Sequence, residues 1–443
     1  MPNARGTALK VLYKIEKEGA YINLALKETL ANSALTREDR ALVTELTHGV
    51  VKWRLTLDYT LSKHSRIKLN KISPWVLCAL RMGVYQILFL DKIPVSAAVN
   101  ESVKLAKRYG GPASGGFVNG VLRSVVRGGK MPALPDDPIE ALCVQYSCPK
   151  WIVKYWIDAY GKETAQAILQ AFLPRPALCV RCNTLKTSPN SLLQAFLNAG
   201  MEAERVLDAA FPNLDCAIKI RRASNLLELP AYQAGWFYVQ DLSSMLAVEA
   251  LDPKPGGLVL DVCAAPGGKT TYIAQKMQNR GKVVAFDIYE HKLSLIAENA
   301  SRLGIDCVEC ILQDASVFNE RFVCQADAVL VDAPCSGLGV IGRKPDIKYA
   351  GSMQDIDSLA AQGLSILETA ARYVRLGGTL VYSLCTLSPK EGEQVIAQFL
   401  AQHKEFCLSK ICAVNLENNG QITLFPQKFG TDGFFICKMK REI

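Results

Sequence analysis

Apolar residues recur at helical spacing through the first part of the chain, and a strand–helix rhythm takes over in its second half. Ala8, Val11, Leu12 and Ile15 share one helix face, as do Leu77, Leu80, Val84, Ile87 and Leu88, the spacing with which a helix buries one stripe against its neighbours. Ser73-Pro74 opens the second of these helices as N-cap and first-turn proline. No alternating pattern interrupts the helical one over residues 4–126, so an all-α domain is expected over 1–130. The stretch Gly128-Gly129-Lys130-Met131-Pro132-Ala133-Leu134-Pro135-Asp136-Asp137-Pro138 ends it, because its two glycines and three prolines support neither helix nor sheet interior.

Residues 140–235 are mixed, with helical stretches at 151–160 and 191–198 and a strand at 177–183, which predicts a small α/β subdomain. Beyond Gly257 the strands 258–262, 283–286, 328–331 and 379–382 alternate with helices 270–277, 292–303 and 359–374. That alternation predicts a Rossmann-like, doubly wound parallel sheet with helices on both faces, assigned to 236–443. The apolar run 433–439 is expected to be a last strand.

A length of 443 residues, 49% hydrophobic and 21% charged, suits two or three globular domains. Residues 1–10 lack the apolar core of a signal peptide, and the greasiest stretch, 75–90, is broken by Arg81 and Gln86. A cytosolic protein without a membrane span is therefore expected, its 15 cysteines reduced rather than paired. Charge is uneven: residues 1–150 hold 22 Lys and Arg against 12 Asp and Glu, a net +10 that leaves −1 for the rest of a +9 chain. A basic N-terminal third fits a polyanion such as RNA, bound through its phosphates.

The first strand of the alternating region runs into Asp261-Val262-Cys263-Ala264-Ala265-Pro266-Gly267-Gly268-Lys269-Thr270. Small residues and paired glycines admit a ligand close to the backbone, and the following helix aims its N–H groups at the same place. A Walker loop requires glycine where Cys263 stands, and no G-x-G-x-x-G is present. Asp287, nineteen residues after Gly268, ends the next strand where a carboxylate meets ribose hydroxyls, and Asp314 follows in a third position suited to an adenine amine. A nucleoside cofactor without a pyrophosphate loop points to S-adenosylmethionine over NAD or ATP.

Two thiols stand at predicted strand ends, in Asp332-Ala333-Pro334-Cys335-Ser336 and in Tyr382-Ser383-Leu384-Cys385-Thr386-Leu387-Ser388-Pro389. Open sheets bind ligands at such ends, and a thiolate is a strong nucleophile, so covalent chemistry is expected. The basic run Arg343-Lys344-Pro345-Asp346-Ile347-Lys348 is a candidate phosphate clamp. The pairs Cys179/Cys182 and Cys307/Cys310 are too far apart for a zinc ribbon, and His48, His64, His291 and His403 form no ligand spacing, so no metal is expected.

Asp261 to Lys269, Asp332 to Gly337 and Ser383 to Pro389 resemble the signature motifs of the RNA (cytosine-5) methyltransferases, and the chain as a whole resembles their bacterial Fmu/Sun (RsmB) branch. Asp39-Arg40-Ala41-Leu42-Val43 and Gly116-Phe117-Val118-Asn119-Gly120-Val121-Leu122-Arg123 are similar to the NusB-like helical domain of that branch. The resemblance implies methylation of carbon 5 of one cytosine of 16S rRNA, cytosine 967, with S-adenosylmethionine held by Cys263, Ala264, Ala265, Pro266, Gly267, Gly268, Lys269, Asp287, Asp314 and Asp332. It implies Cys385 as the thiol that adds to carbon 6, Cys335 as the thiol of the release step, and Asp332 as the group that holds the cytosine. The expected substrate is 16S rRNA, protein-free or in early assembly, rather than DNA, with the enzyme a monomer.

Related DNA enzymes attack with a Pro-Cys thiol, which Pro334-Cys335 also supplies, so on the residues alone either thiol is a candidate nucleophile. The resemblance, and the lack of a Glu-Asn-Val element, favour Cys385. The chain departs from the pattern at Gly392, between Glu391 and Glu393, where relatives commonly have Asn, and at Cys148, where they often place His before Pro149. A NusB-like RNA-binding factor with an inactive C-terminal domain would have no physical need for both thiols. A methyltransferase acting on proteins or small molecules leaves the thiols unexplained.

Overall fold

The computed structural model describes residues 3–31, 33–129, 131–222 and 226–442. Lys130, and residues 1, 2 and 32 of the ranges read above, lie outside the described residues. The chain forms two compact units, Met1–Leu173 with Arg343–Gly351, and Pro174–Gly342 with Ser352–Ile443. Among the described residues no helix is long and apolar enough to cross a membrane.

The first unit is helical. Its opening helix Ala4–Glu18 is capped by the Asn3 side chain, which accepts from the Gly6 N–H, and ends at the left-handed Gly19, so both ends are satisfied locally. Ala8, Val11 and Leu12 are buried as their spacing predicts, with Ile15 packed at the edge of the same core. Helix Pro74–Phe89 departs from its one-sided pattern, being buried on every side from Val76 to Gln86. It is the central element, in contact with helices Ala4–Glu18, Arg37–Lys52, Arg54–His64, Val95–Gly110 and Ser114–Gly128. Ser73 occupies the N-cap position, but its side chain makes no capping hydrogen bond.

Burial of this helix carries Arg81 inside, where Nε and Nη2 donate to Asp58 at 2.6 and 2.8 Å and Nη1 to Glu16 at 2.9 Å. Breaking such a pair strands a buried charge at a cost of about 3–5 kcal/mol. Helices Pro138–Gln145, Lys150–Tyr160 and Lys162–Ala171 belong to this unit, so the helical stretch at 151–160 packs with the bundle.

The segment Arg343–Gly351 also belongs here. Lys348 is buried, its ammonium donating to the Lys52 and Ser147 carbonyls, and Asp346 accepts from the Ile22 N–H at 3.0 Å. Burial lowers the Lys348 ammonium to about 8. Within the expected phosphate clamp this corrects Lys348 alone, which is spent on internal carbonyls.

The second unit holds two sheets. Strands β1 (Leu178–Cys182), β2 (Glu202–Arg205), β3 (Ala217–Arg222) and β4 (Phe237–Val239) form an antiparallel sheet in the order β2-β3-β1-β4. Strands β5 (Leu258–Asp261), β6 (Lys282–Asp287), β7 (Val308–Leu312), β8 (Ala326–Asp332), β9 (Val374–Leu384), β10 (Phe406–Leu408), β11 (Gln421–Leu424) and β12 (Phe434–Arg441) form the larger one. Its order is β10-β12-β9-β8-β5-β6-β7, with β11 paired to β12.

Strands β5 to β9 are mutually parallel, as the alternation predicts; β5, β6 and β8 are largely buried on both faces, whereas the edge strand β7 is only partly buried. The closing strand β12 forms at the expected place but runs antiparallel to β9, so the sheet is mixed. It follows β11 through an antiparallel pairing, not through the helical crossover that parallel neighbours need. Because β6 and β7 lie on one side of β5 and β8 and β9 on the other, the strand order reverses at β5/β8. The C-terminal ends of strands at such a reversal form the crevice where open α/β sheets bind ligands.

Candidate active site

The loop after β5 is shaped by two glycines. Gly267, at φ +95°, caps helix Gly268–Lys276, and a Cβ there would lie 3.1 Å from Ile296 Cα. A Cβ on Gly268 would come within 3.0 Å of the Tyr238 ring. Between Asp261 and these glycines, the Ala264 N–H donates to the Phe286 carbonyl and the Pro266 carbonyl accepts from Asn299 at 3.3 Å, while Ala265 packs beside the buried Ala264 and Ile296.

Asp261 is fully buried; its Oδ2 accepts from Thr270 Oγ1 at 2.7 Å and its Oδ1 has no hydrogen-bond partner. Burial pushes this carboxyl up to about 7, against the Thr270 hydroxyl, which favours the charged form. Asp287, ending β6, accepts from the Tyr289 N–H at 3.1 Å. Asp314, two residues beyond β7, is exposed and accepts from the Ser316 N–H and hydroxyl at 2.9 and 2.7 Å. Burial first, and then the charges of Asp261, Asp332, Asp287 and Asp314, push the Cys263 thiol well above its ordinary range. The three predicted carboxylates, Asp287, Asp314 and Asp332, and the buried Asp261 thus all act electrostatically on this thiol.

The two cysteine motifs meet because β8 and β9 pair in parallel with Asp332 opposite Ser383. Just beyond the strands, the Cys335 and Cys385 sulfurs lie 3.3 Å apart. The hydrogen bond with Cys385, together with burial, holds the Cys335 thiol well above its ordinary range. Asp332 accepts from Ser383 Oγ at 2.8 Å and from Lys269 Nζ at 2.7 Å. Burial works against the Lys269 charge, but the Asp332 carboxylate and the Cys385 sulfur outweigh it, so the ammonium is held above its ordinary value.

Lys269 therefore does more than close a glycine loop, since it joins that loop to the carboxylate beside the thiols. Two other residues went unread in the sequence. Glu391, whose role was open there, is buried and accepts from Ser336. Arg181, in the middle of β1, is buried with its guanidinium donating to Gly268 O at 2.6 Å, Thr271 Oγ1 at 2.9 Å, Gln275 Oε1 at 3.2 Å and Gln240. Burial lowers it to about 10. An arginine between Val180 and Cys182 in an apolar strand was the available signal. Gly392 is explained by contact, because a Cβ there would lie 3.0 Å from the Phe435 ring.

Among the described residues no group of three or more His, Cys, Asp or Glu side chains could hold a metal ion. The arrangement instead sets a close thiol pair beside an ammonium–carboxylate pair, at the C-terminal ends of the same sheet whose neighbouring strands end in Asp261 and Asp287. It can support covalent addition by sulfur to a polar substrate held by Asp332.

Residues 248–440 match a family described as 16S rRNA methyltransferase RsmB/F, residues 2–127 the NusB family, and residues 148–225 the RsmF/B-like ferredoxin-like domain. The chain is 41% identical to the probable ribosomal RNA small subunit methyltransferase B of Bacillus subtilis (strain 168), over 99% of each chain. The solved structure of PH0851 superposes with a TM-score of 0.83 at 26% identity, over 99% of both chains. NSun6 from Pyrococcus horikoshii, solved with SFG, covers 66% of this chain and 98% of its own, with a TM-score of 0.58 and 25% identity. With its NusB, ferredoxin-like and methyltransferase parts in this order, the chain belongs to the RsmB/F family of 16S rRNA methyltransferases.

Proposed function

We propose that the protein methylates carbon 5 of one cytosine of 16S rRNA, cytosine 967 by the branch it resembles, through a covalent adduct of Cys385. The observation that carries this reading is the 3.3 Å approach of the Cys335 and Cys385 sulfurs beside the Lys269–Asp332 pair. S-adenosylmethionine, when bound, supplies an electrophilic methyl group. The residues present fit it: Asp261 keeps an unpartnered buried oxygen, the run from Cys263 to Lys269 leads into a helix N-terminus, and Asp287 and Asp314 offer carboxylates to hydroxyl and amino groups.

Carbon 5 of cytosine is too weak a nucleophile to be methylated unaided. Cys385, as a thiolate near the Lys269 ammonium, forms a bond to carbon 6, and the electron pair of the 5,6 double bond makes carbon 5 nucleophilic. Asp332, held by Lys269 and Ser383, accepts from the exocyclic amine and from the proton that N3 takes up from solvent as sulfur adds and returns to solvent on release, which favours the electrophilic form during attack. Once carbon 5 carries the methyl group, its proton passes to solvent, the double bond reforms and Cys385 leaves as a thiolate. Cys335, kept as a thiol, donates to that leaving sulfur.

The target base has to leave any helix to reach Cys385, so it is single-stranded or flipped out. The basic residues of 1–150 supply phosphate contacts, consistent with the NusB match. The same reading divides the chain into an RNA-binding part (1–130), a small subdomain (140–235) and a catalytic part (236–443), acting as a cytoplasmic monomer on protein-free or early-assembly rRNA. Incubating the protein with protein-free 16S rRNA and S-adenosylmethionine, then identifying modified nucleosides by mass spectrometry, tests it. One 5-methylcytidine per molecule is expected; methylation on another atom, or none, overturns it.

A further inference from the structure

Glu391 has no part in the steps above, yet it is 1% exposed and sits among the residues that follow both thiols. Its Oε1 accepts from the Ser336 N–H at 2.7 Å and its Oε2 from the Ser336 hydroxyl at 2.7 Å. The Thr386 hydroxyl lies 2.7 Å from Ser336 Oγ and 3.5 Å from the same Oε2. Ser336 follows Cys335, and Thr386 follows Cys385. The residue's own backbone is fixed as well, since its N–H donates to Ser388 O at 3.1 Å and its carbonyl accepts from the Tyr382 hydroxyl at 3.1 Å.

Placing a carboxylate in such a site carries a desolvation penalty of several kcal/mol, and burial does push its carboxyl above the usual range despite the Ser336 hydrogen bonds. An ionised acid accepts from both Ser336 donors at once, whereas a glutamine would have to reverse the hydroxyl bond, giving its NH₂ to Ser336 Oγ, and would carry no charge.

We propose that Glu391 is a positioning residue for the thiol pair: its carboxylate ties Ser336 and Thr386 together and so holds the Cys335 sulfur against that of Cys385. The inference rests on the two-thiol reading of the preceding section. Its negative charge also raises the Cys335 thiol, behind the Cys385 hydrogen bond, burial and the Cys385 charge, which helps keep the proton on Cys335.

The test uses the full-length protein with Glu391→Gln and Ser336→Ala. Each is alkylated with iodoacetamide from pH 6 to 9 without RNA or cofactor, the two thiols being read separately by peptide mass spectrometry, and kcat and KM are measured alongside. Glu391→Gln is expected to speed Cys335 alkylation about tenfold at a given pH, and to lower kcat by about 10–100-fold with KM for RNA and cofactor within about threefold. Ser336→Ala keeps the charge and loses one tie, so a smaller fall in kcat, about threefold to tenfold, is expected even if Glu391→Gln fails to fold. RNA carrying 5-fluorocytosine traps any sulfur adduct, because carbon 5 then has no proton to lose. No adduct with the intact protein overturns the two-thiol reading. A wild-type adduct together with unchanged alkylation in Glu391→Gln, or unchanged kcat in Ser336→Ala, overturns the positioning role alone.

Discussion

The carboxylates on one half of the sheet's C-terminal edge and the reacting groups on the other make contacts of different reach. On the β5–β7 side each carboxylate serves its own loop: Asp261 binds Thr270, nine residues on, while Asp287 and Asp314 each bind a residue two positions away. On the β8–β9 side the contacts join loops 50 to 63 residues apart, as in Cys335 with Cys385, Ser383 with Asp332, Ser336 with Glu391 and Lys269 with Asp332. A locally capped carboxylate keeps lone pairs for a ligand and tolerates some give. Reacting groups do not, since a misplacement of about 1 Å can cost about 10²-fold in rate. The difference separates a half built to bind from a half built to react, with Lys269 crossing between them.

The reacting half should fail hardest. Cys385→Ala is expected to lower single-turnover methyl transfer by at least about 10⁴-fold while RNA affinity, read by filter binding, stays within about threefold; a residual rate near wild type would return the nucleophile to Cys335. Lys269→Met breaks the bridge between the halves and should cost about 10²-fold in kcat with a smaller rise in cofactor KM; a pure KM effect would place Lys269 wholly in the binding half. Asp287→Ala belongs to that half, so cofactor KM should rise by about tenfold or more with kcat nearly unchanged, which steady-state kinetics will show.

The smallest effect is one of stability. The Asp261 carboxyl titrates near 7 in the folded chain and near 3.8 when unfolded, so between these values the folded state holds a proton that the unfolded state has lost. Stability should therefore fall as pH rises from about 4 to 7 and level off above. Asp261→Asn removes this slope, so the melting temperature of the wild type should drop more than that of the variant between pH 5 and 8. Parallel changes would mean that the buried carboxyl is already ionised at pH 5.

The same division explains what could be read from sequence. The glycine loop, Asp287 and Asp314 are local features, each defined by its spacing from a strand end, and the sheet alternation placed them in order. The partners of the reacting half are tertiary: nothing near Lys269 announces Asp332, and nothing near Glu391 announces Ser336. The role of Arg181 is not legible from its neighbours in the chain, because its partners at Gly268 and Thr271 lie 87 and 90 positions away. Helix Pro74–Phe89 was legible as a helix but not as the centre of its bundle, since five surrounding helices cannot be inferred from one apolar stripe. The direction of β12 depended on its connection, not on its composition.

The most direct test of the two-thiol site compares intact protein, Cys385→Ala and Cys335→Ala on protein-free 16S rRNA with labelled S-adenosylmethionine, resolved on denaturing gels. Cys385→Ala should show neither transfer nor a protein–RNA band, and Cys335→Ala should accumulate a band that carries the label, because the methylated adduct forms but releases slowly. An adduct that persists in Cys385→Ala and vanishes in Cys335→Ala would contradict the assignment and make Cys335 the nucleophile.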